Sequence, residues 1–283
     1  MTNISLAHFQ SAAESAAISS NLNQKLTVTD DGALQTREAS STLAGKLVSW
    51  HDLSSSEKTQ KAQDQGAFRT ALQDKFGKEL GEQAYKHACT ACGYTDGKFH
   101  SLTVKQISTG IDFAVTQNLQ KQLAEAQNKG IVQHFEENPT LLLSEGVTRK
   151  SGKKTEIEGL VANRKAEGFD RVCEHALTGV FKQNLRDNLT SAESTKVLDF
   201  VKAYDPKLGN LPALNELPES VQDAVKLSKM VLSYEETNKM DAKNIGIVFG
   251  PNIAKDDGLD PMAALALNGA KTQFFTALIK HAD

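Results

Sequence analysis

The sequence predicts an all-α fold. Long stretches are rich in Ala, Leu, Lys, Gln and Glu, which form helices readily. Prolines number only six, and aromatic residues make up 6% of the chain. No Val/Ile/Tyr alternation runs to strand length. At 283 residues the chain has room for one or two domains, each with a core of its own.

The elements follow in order. Residues 1–50 read as a flexible leader, a candidate secretion or targeting segment, and residues 1–25 are its loosest part. Met1–Ser20 has no basic n-region and no continuous apolar stretch, so it is not a standard secretory signal peptide. Asp31-Gly32 lies between short β-prone pieces and suits a small hairpin. Residues 51–130 read as a small helical domain that Trp50 packs. Ser54-Ser55-Ser56-Glu57 offers caps for a helix through Phe76, with Phe68, Leu72 and Phe76 on one face. Gly77 and Gly81 interrupt it, and a second helix runs from Glu82 to Cys92. A turn-rich loop, Gly93–His100, precedes a helix carrying Ile107, Ile111 and Val115. The Gln-rich stretch Gln117–Gln127 reads as a linker helix or an exposed one.

Residues 131–283 read as a third, longer-helixed unit. Helices are expected at Ile131–Glu137, Glu156–Asn163, Phe169–Asn188, Ser191–Tyr204, Pro218–Glu236, Asp241–Phe249 and Pro261–His281. The loop Asp205–Pro218 holds three of the six prolines. Gly250-Pro251 is a stop signal.

Charge and cysteine content exclude several functions. Lys+Arg is 32 and Asp+Glu is 35, a net charge of −3. That argues against a general nucleic-acid or polybasic membrane binder. Thirteen basic and thirteen acidic residues balance over 1–130, so the whole −3 falls on 131–283. No run of eighteen apolar residues exists, so no membrane-spanning helix is expected. The three cysteines, Cys89, Cys92 and Cys173, fit a reducing compartment better than a disulfide framework. Cys89 and Cys92 form a CxxC with His87 and His100 nearby. The spacing lacks a zinc pattern and a thioredoxin-like context, so buried helical cysteines are expected and no metal site. His51, His134 and His175 have no partner pattern and read as structural or surface residues. No phosphate-binding loop is present, so the chain is not read as a GTPase.

The informative segment is Asn238–Ala254, NKMDAKNIGIVFGPNIA. Asp241 is a plausible N-cap, and Ile245, Val248 and Phe249 make an apolar face. Asn244 is a poor helix former inside that helix. Asn238-Lys239-Met240, Asn244, Ile245-Gly246 and Phe249-Gly250-Pro251 closely resemble the signature of Rho GTPase-activating (RhoGAP) domains. A second piece, Glu145-Gly146-Val147-Thr148-Arg149-Lys150-Ser151-Gly152, is similar to the family's finger loop, with Thr148 in place of an aromatic residue that would pack under the loop. A third, HALTGVFKQNLRDN from His175 to Asn188, is similar to the family's long helix and puts Lys182 and Arg186 on its Lys and Arg positions. The Leu-Pro-Glu-Pro that follows in the family is here Asp187-Asn188-Leu189-Thr190. Leu177, Phe181 and Leu185 form the apolar stripe of that helix.

The resemblance implies a RhoGAP-like helical bundle over 131–283, preceded by a small mainly helical N-terminal region. It implies a GTPase activator with no enzyme activity of its own. Arg149 would be the catalytic arginine supplied in trans to a Rho-family GTPase. Lys182, Arg186 and Asn244 would bind the GTPase, and Glu145, Gly146 and Gly152 would support the loop. GTP and magnesium would belong to the partner, with no cofactor on this chain. A GTPase-binding module or adaptor without activation is the alternative. Lys150, Lys153 and Lys154 extend the basic cluster, for steering or simply for solubility.

The leader is also similar in composition to the front end of bacterial secreted effectors. That implies injection into a host cytosol, with a secretion chaperone as N-terminal partner and host Rho GTPases and actin as targets. A eukaryotic cytosolic RhoGAP is the competing reading.

Overall fold

Helices carry most of the described residues, as the composition predicts. A computed structural model describes residues 4–18, 21–29, 33–37, 55–94, 101–255 and 260–281. Trp50, His51, His100, the Asp31-Gly32 turn and the Ser54 cap lie outside the described residues. The chain divides into two units, Met1–Leu119 and Gln120–Asp283. No helix of the described residues is long and apolar enough to cross a membrane.

In the first unit, α1 (Leu6–Ile18) is followed by β1 (Lys25–Val28) and β2 (Leu34–Arg37), then α2 (Ser55–Phe76) and α3 (Lys78–Ala91). β1 and β2 are antiparallel, with Leu26 opposite Thr36 and Val28 opposite Leu34. Asp64 of α2 is buried and joins helix to hairpin. Its Oδ1 accepts from the Val28 amide at 2.8 Å, the Thr27 hydroxyl at 3.1 Å and Gln60 Nε2 at 3.0 Å. Three donors on one oxygen offset the cost of burying the charge. Phe9 and Phe68 pack at 5.2 Å between ring centroids, with Leu72, Ile107 and Ile111 around them.

Two sequence expectations change here. The helix breaks only at Gly77, whose φ is +84°, and α3 begins at Lys78. Gly81 is instead a contact residue: a Cβ there would lie 2.5 Å from the backbone of Gln73. Val115 leaves the stripe of Ile107 and Ile111 and is 45% exposed, while Ala114 is fully buried. A strict four-residue spacing drifts about 40° per step around a 3.6-residue helix, so the third member rotates out.

α4 runs unbroken from Val104 to Glu137. The expected separate helices, linker stretch and new start at Ile131 are one element. Gly130 does not end it. The Ala166 carbonyl lies against it so closely that a Cβ would come within 1.9 Å of that oxygen.

The second unit contains the end of α4, a 3₁₀ turn (Pro139–Leu143), α5 (Lys154–Asn163), α6 (Glu174–Asn188) and α7 (Ser191–Ala203). After these come α8 (Glu219–Leu232), α9 (Glu235–Asn238), α10 (Ala242–Phe249) and α11 (Pro261–His281). α6 is shorter than the expected Phe169–Asn188. Gly168 at φ +80° turns the chain, and Phe169 is buried edge-on to His134 before the helix begins. α8 also ends earlier than expected, at Leu232, with α9 as a separate turn. Thr190 and Glu193 form a reciprocal capping box at the start of α7, and Glu193 also holds Lys121 at 2.8 Å. Phe181, Phe249 and Phe275 stack through the core, with centroid separations of 6.0 and 5.8 Å.

A buried amide network ties α4, α5 and α6 together. Asn184 Nδ2 donates to Gln127 Oε1 at 2.9 Å and to Asn128 Oδ1 at 3.1 Å, and its Oδ1 accepts from Arg164 at 3.1 Å. Gln127 and Asn128 in turn donate to the carbonyls of Leu160 and Phe181. Every member has a partner, so the network specifies the helix register at little cost.

Asp223 on α8 sits in a charged patch with Glu125, Lys129, Glu219 and Lys226. Burial is the main cause that pushes its carboxyl up to about 6; Lys129 and Lys226 oppose, and Glu219 and Glu125 add. Between its ordinary 3.8 and about 6, the folded chain keeps a proton that the unfolded chain has released. Stability therefore falls as pH rises through that window, and the penalty is complete above it. Asp223→Asn is expected to raise Tm at pH 7 by about 3 °C and to lose that advantage below pH 4. Thermal melts across this range check it, and a pH-independent difference would rule it out.

Candidate functional site

The loop between the 3₁₀ turn and α5 is held by its main chain. Gly146 has φ +68°, which the left-handed turn requires. Its carbonyl accepts from the amides of Arg149 and Lys150, both at 2.8 Å, which makes the turn tight. Val147 is fully buried, and its carbonyl accepts from the Thr178 hydroxyl at 2.8 Å, with His175 Nδ1 at 3.3 Å. The Thr148 carbonyl accepts from Lys182 Nζ at 2.7 Å. Ser144 donates to Glu174 Oε1 at 2.7 Å. A Cβ at Gly152 would meet the Ala176 backbone at 2.5 Å, so only glycine lets the loop lie against the start of α6.

Glu174, Thr178 and Lys182 are spaced i, i+4, i+8, so one face of α6 grips the whole loop. The sequence reading found Lys182 and missed the other two; the four-residue polar spacing was the available signal. His175, read as structural or surface, is a loop contact. Arg186, one turn further on, does not reach the loop. It is exposed and bonds Asp187 at 3.0 Å.

Electrostatics divide the cations of the site. Lys182 is held below the usual lysine range by burial, and its partner is a neutral carbonyl rather than a carboxylate. Glu174 is also pushed up by burial, but the Ser144 hydroxyl, backbone bonding and His175 outweigh this and hold it below the usual carboxylate range. Lys150 pairs with Glu145 at 3.3 Å across the turn, and Lys154 with Glu158 at 3.7 Å. Arg149 is exposed, and its guanidinium has no hydrogen bond or ion pair among the described residues.

Asn238 ties the loop to the rest of the unit and was quoted in the sequence motif without a role. It is fully buried. Its amide donates to Leu142 O at 2.9 Å and to Val231 O at 2.8 Å, and its Oδ1 accepts from Met240 N at 2.8 Å. Its own carbonyl accepts from Gly146 N at 2.7 Å. Lys239 follows at φ +58°, a left-handed conformation that costs a non-glycine residue energy and turns the chain into α10.

Asp241 caps α10 as expected, accepting from Asn244 N at 2.6 Å. Ile245 and Phe249 are buried, Val248 partly so. The Asn244 side chain is half-buried, with its Nδ2 at 3.5 Å from Lys239 O, the limit of a hydrogen bond. Ile247, one turn on, is 52% exposed and was not singled out by the sequence. A Cβ at Gly246 would come within 2.0 Å of Thr276 Oγ1, so α10 packs on α11 at backbone distance. Lys271 of α11 is buried and donates to Pro251 O at 3.2 Å and Ala254 O at 3.0 Å, closing the segment after α10.

The chain from Gly130 to Gly258 matches the RhoGAP domain family. This stretch resembles a RhoGAP domain. It contains the Arg149 loop, α6 and α10, while α11 lies beyond the match. The chain is 29% identical over 163 residues to Rho GTPase-activating protein gacH of Dictyostelium discoideum, covering 52% of this chain and 28% of that one. It is 35% identical over 147 residues to N-chimaerin of Rattus norvegicus, covering 44% and 42%. It thus spans under half the length of these curated relatives. Among solved structures it is similar to the BH domain from Graf, at 18% identity and a TM-score of 0.44, over 56% of this chain and 91% of that one. Human Rho GTPase activating protein 15 gives 20% identity and a TM-score of 0.43, over 54% and 79%.

Cys89 and Cys92 stand apart from the RhoGAP-like stretch, at the end of α3. They are half-buried rather than buried, and Cys89 Sγ accepts from Gln106 at 3.7 Å. Burial pushes both thiols up from the ordinary cysteine range. Cys173 is exposed, and no group of three metal-binding side chains occurs among the described residues.

Asn238→Ala removes three side-chain bonds and strands buried carbonyls and an amide. It is expected to cost about 2–4 kcal/mol of stability. Urea unfolding measures it; a loss under about 0.5 kcal/mol, the size of an ordinary surface substitution, would show that Asn238 does not hold the loop.

Proposed function

We propose that this chain activates GTP hydrolysis by a Rho-family GTPase and that Arg149 enters the partner's nucleotide site as an arginine finger. The single observation that carries the reading is the contrast at Arg149. The peptide leading into it is held at its amide by Gly146 and at its carbonyl by Lys182, while the guanidinium is exposed and unpaired among the described residues. Hydrolysis spreads negative charge over the transferring phosphoryl group, and a cation supplied in trans stabilises it. Arginine suits the role because it stays charged and offers planar donors. An ion pair within its own chain would have to be broken first; Arg149 has none to break. GTP and magnesium are the partner's, and this chain brings only the guanidinium. The name of one relative, Rho GTPase-activating protein gacH, supports the same partner class.

Around the finger, Lys182 anchors the loop from behind, and the buried ammonium adds positive potential at Thr148–Arg149. Arg186, Asn244 and the exposed Ile247 supply the surface that meets the GTPase. Glu145, Gly146 and Gly152 shape the loop. For residues 1–50 we propose a secretion signal with a chaperone as its partner, on composition alone. Export of a reporter fused to residues 1–50 tests this, and no export overturns it.

Single-turnover GTP hydrolysis by Rho-, Rac- and Cdc42-type GTPases tests the finger. The wild type is expected to accelerate at least one, and Arg149→Ala to lose about 10³-fold or more. Binding without acceleration would make the chain a GTPase-binding module. An Arg149→Ala variant as fast as the wild type would remove Arg149 from the chemistry.

A further inference from the structure

The Arg149 amide and the Thr148 carbonyl are engaged, but one side chain in the same loop is not. Thr148 is fully buried, and its hydroxyl has no hydrogen-bond partner among the described residues. The carbonyls of its own loop bond other donors: Gly146 the amides of Arg149 and Lys150, Val147 the Thr178 hydroxyl, and Thr148 itself Lys182. A hydroxyl in water keeps its hydrogen bonds, so burying it with none penalises the docked loop. The next residue is the exposed Arg149, so the penalty acts directly before the finger.

On the arginine-finger reading above, we infer that Thr148 is a positioning residue that limits how much of the protein has its finger loop docked on α6. The unpaired hydroxyl favours a second arrangement in which the loop turns out, the hydroxyl is hydrated and Lys182 is released from the Thr148 carbonyl. Only the docked fraction presents Arg149 in the geometry the GTPase requires. The apparent affinity for the GTPase is lowered by that fraction, whereas saturating GTPase draws the whole population into the docked form.

Thr148→Val keeps the side-chain shape and removes the hydroxyl, and Thr148→Ser keeps the hydroxyl. The full-length chain is studied by hydrogen exchange at the amides of residues 146–150 and by single-turnover hydrolysis over a range of chain concentrations. Valine is expected to slow exchange and to lower the half-saturating concentration, each by about fivefold or more, with the maximal rate unchanged. Serine is expected to do neither. If valine speeds exchange and lowers Tm, a buried water satisfies the hydroxyl and the inference is overturned. Unchanged exchange with unchanged half-saturation also overturns it. Should valine fail to fold, Thr148→Ala carries the same comparison. If the wild type accelerates no GTPase, the finger reading is what fails, and exchange alone decides whether Thr148 restrains the loop.

Discussion

The RhoGAP-like stretch depends on one buried amide. Asn238 sits where the 3₁₀ turn, the end of α8, the finger loop and the start of α10 converge, and it bonds to all four. Such a point would otherwise leave several carbonyls and amides without partners in the core, each costing more than the net value of a formed bond. A single primary amide offers two donors and an acceptor close together, and the residue's own carbonyl adds another acceptor. The left-handed Lys239 that follows is strain the junction tolerates because the surrounding bonds over-determine it.

α6 complements this junction from the other side. Its Glu174, Thr178 and Lys182 line one face and hold three successive stretches of the loop. The apolar stripe beside it carries Leu177, Phe181 and Leu185 into the core. The helix thus connects the loop to the phenylalanine stack, and the amide network around Asn184 fixes its rotation. In its docked form the loop is held to α6 by these three hydrogen bonds.

Charge placement follows the same division. The cations around the Arg149 loop differ in what they bond. Lys150 and Lys154 are paired with carboxylates, Lys182 is buried against a carbonyl, and Arg149 alone among these carries an unengaged exposed cation.

Much of this was legible in the residues themselves. Helical composition, the N-cap at Asp241, the apolar stripe of α6 and the three motif segments are local properties of the chain. The Arg149 loop, Lys182 and the family could be read from them because each depends on spacing within a few turns. What only the tertiary structure decided depends on distant partners. Gly81 reads as a break, yet it is a close approach to Gln73, as Gly130 is to Ala166, and no local pattern encodes either. Val115 turned outward because helical phase, not residue type, sets which side faces the core. Phe169 left its helix because burial against His134 outweighed propensity. Asn238 was visible as a motif letter, but its role required four segments to meet in space, as did the clamp of Glu174 and Thr178. A sequence specifies its own hydrogen-bonding groups and their periodicity; which of them find partners, and which, like the Thr148 hydroxyl, do not, is settled only when the chain has folded.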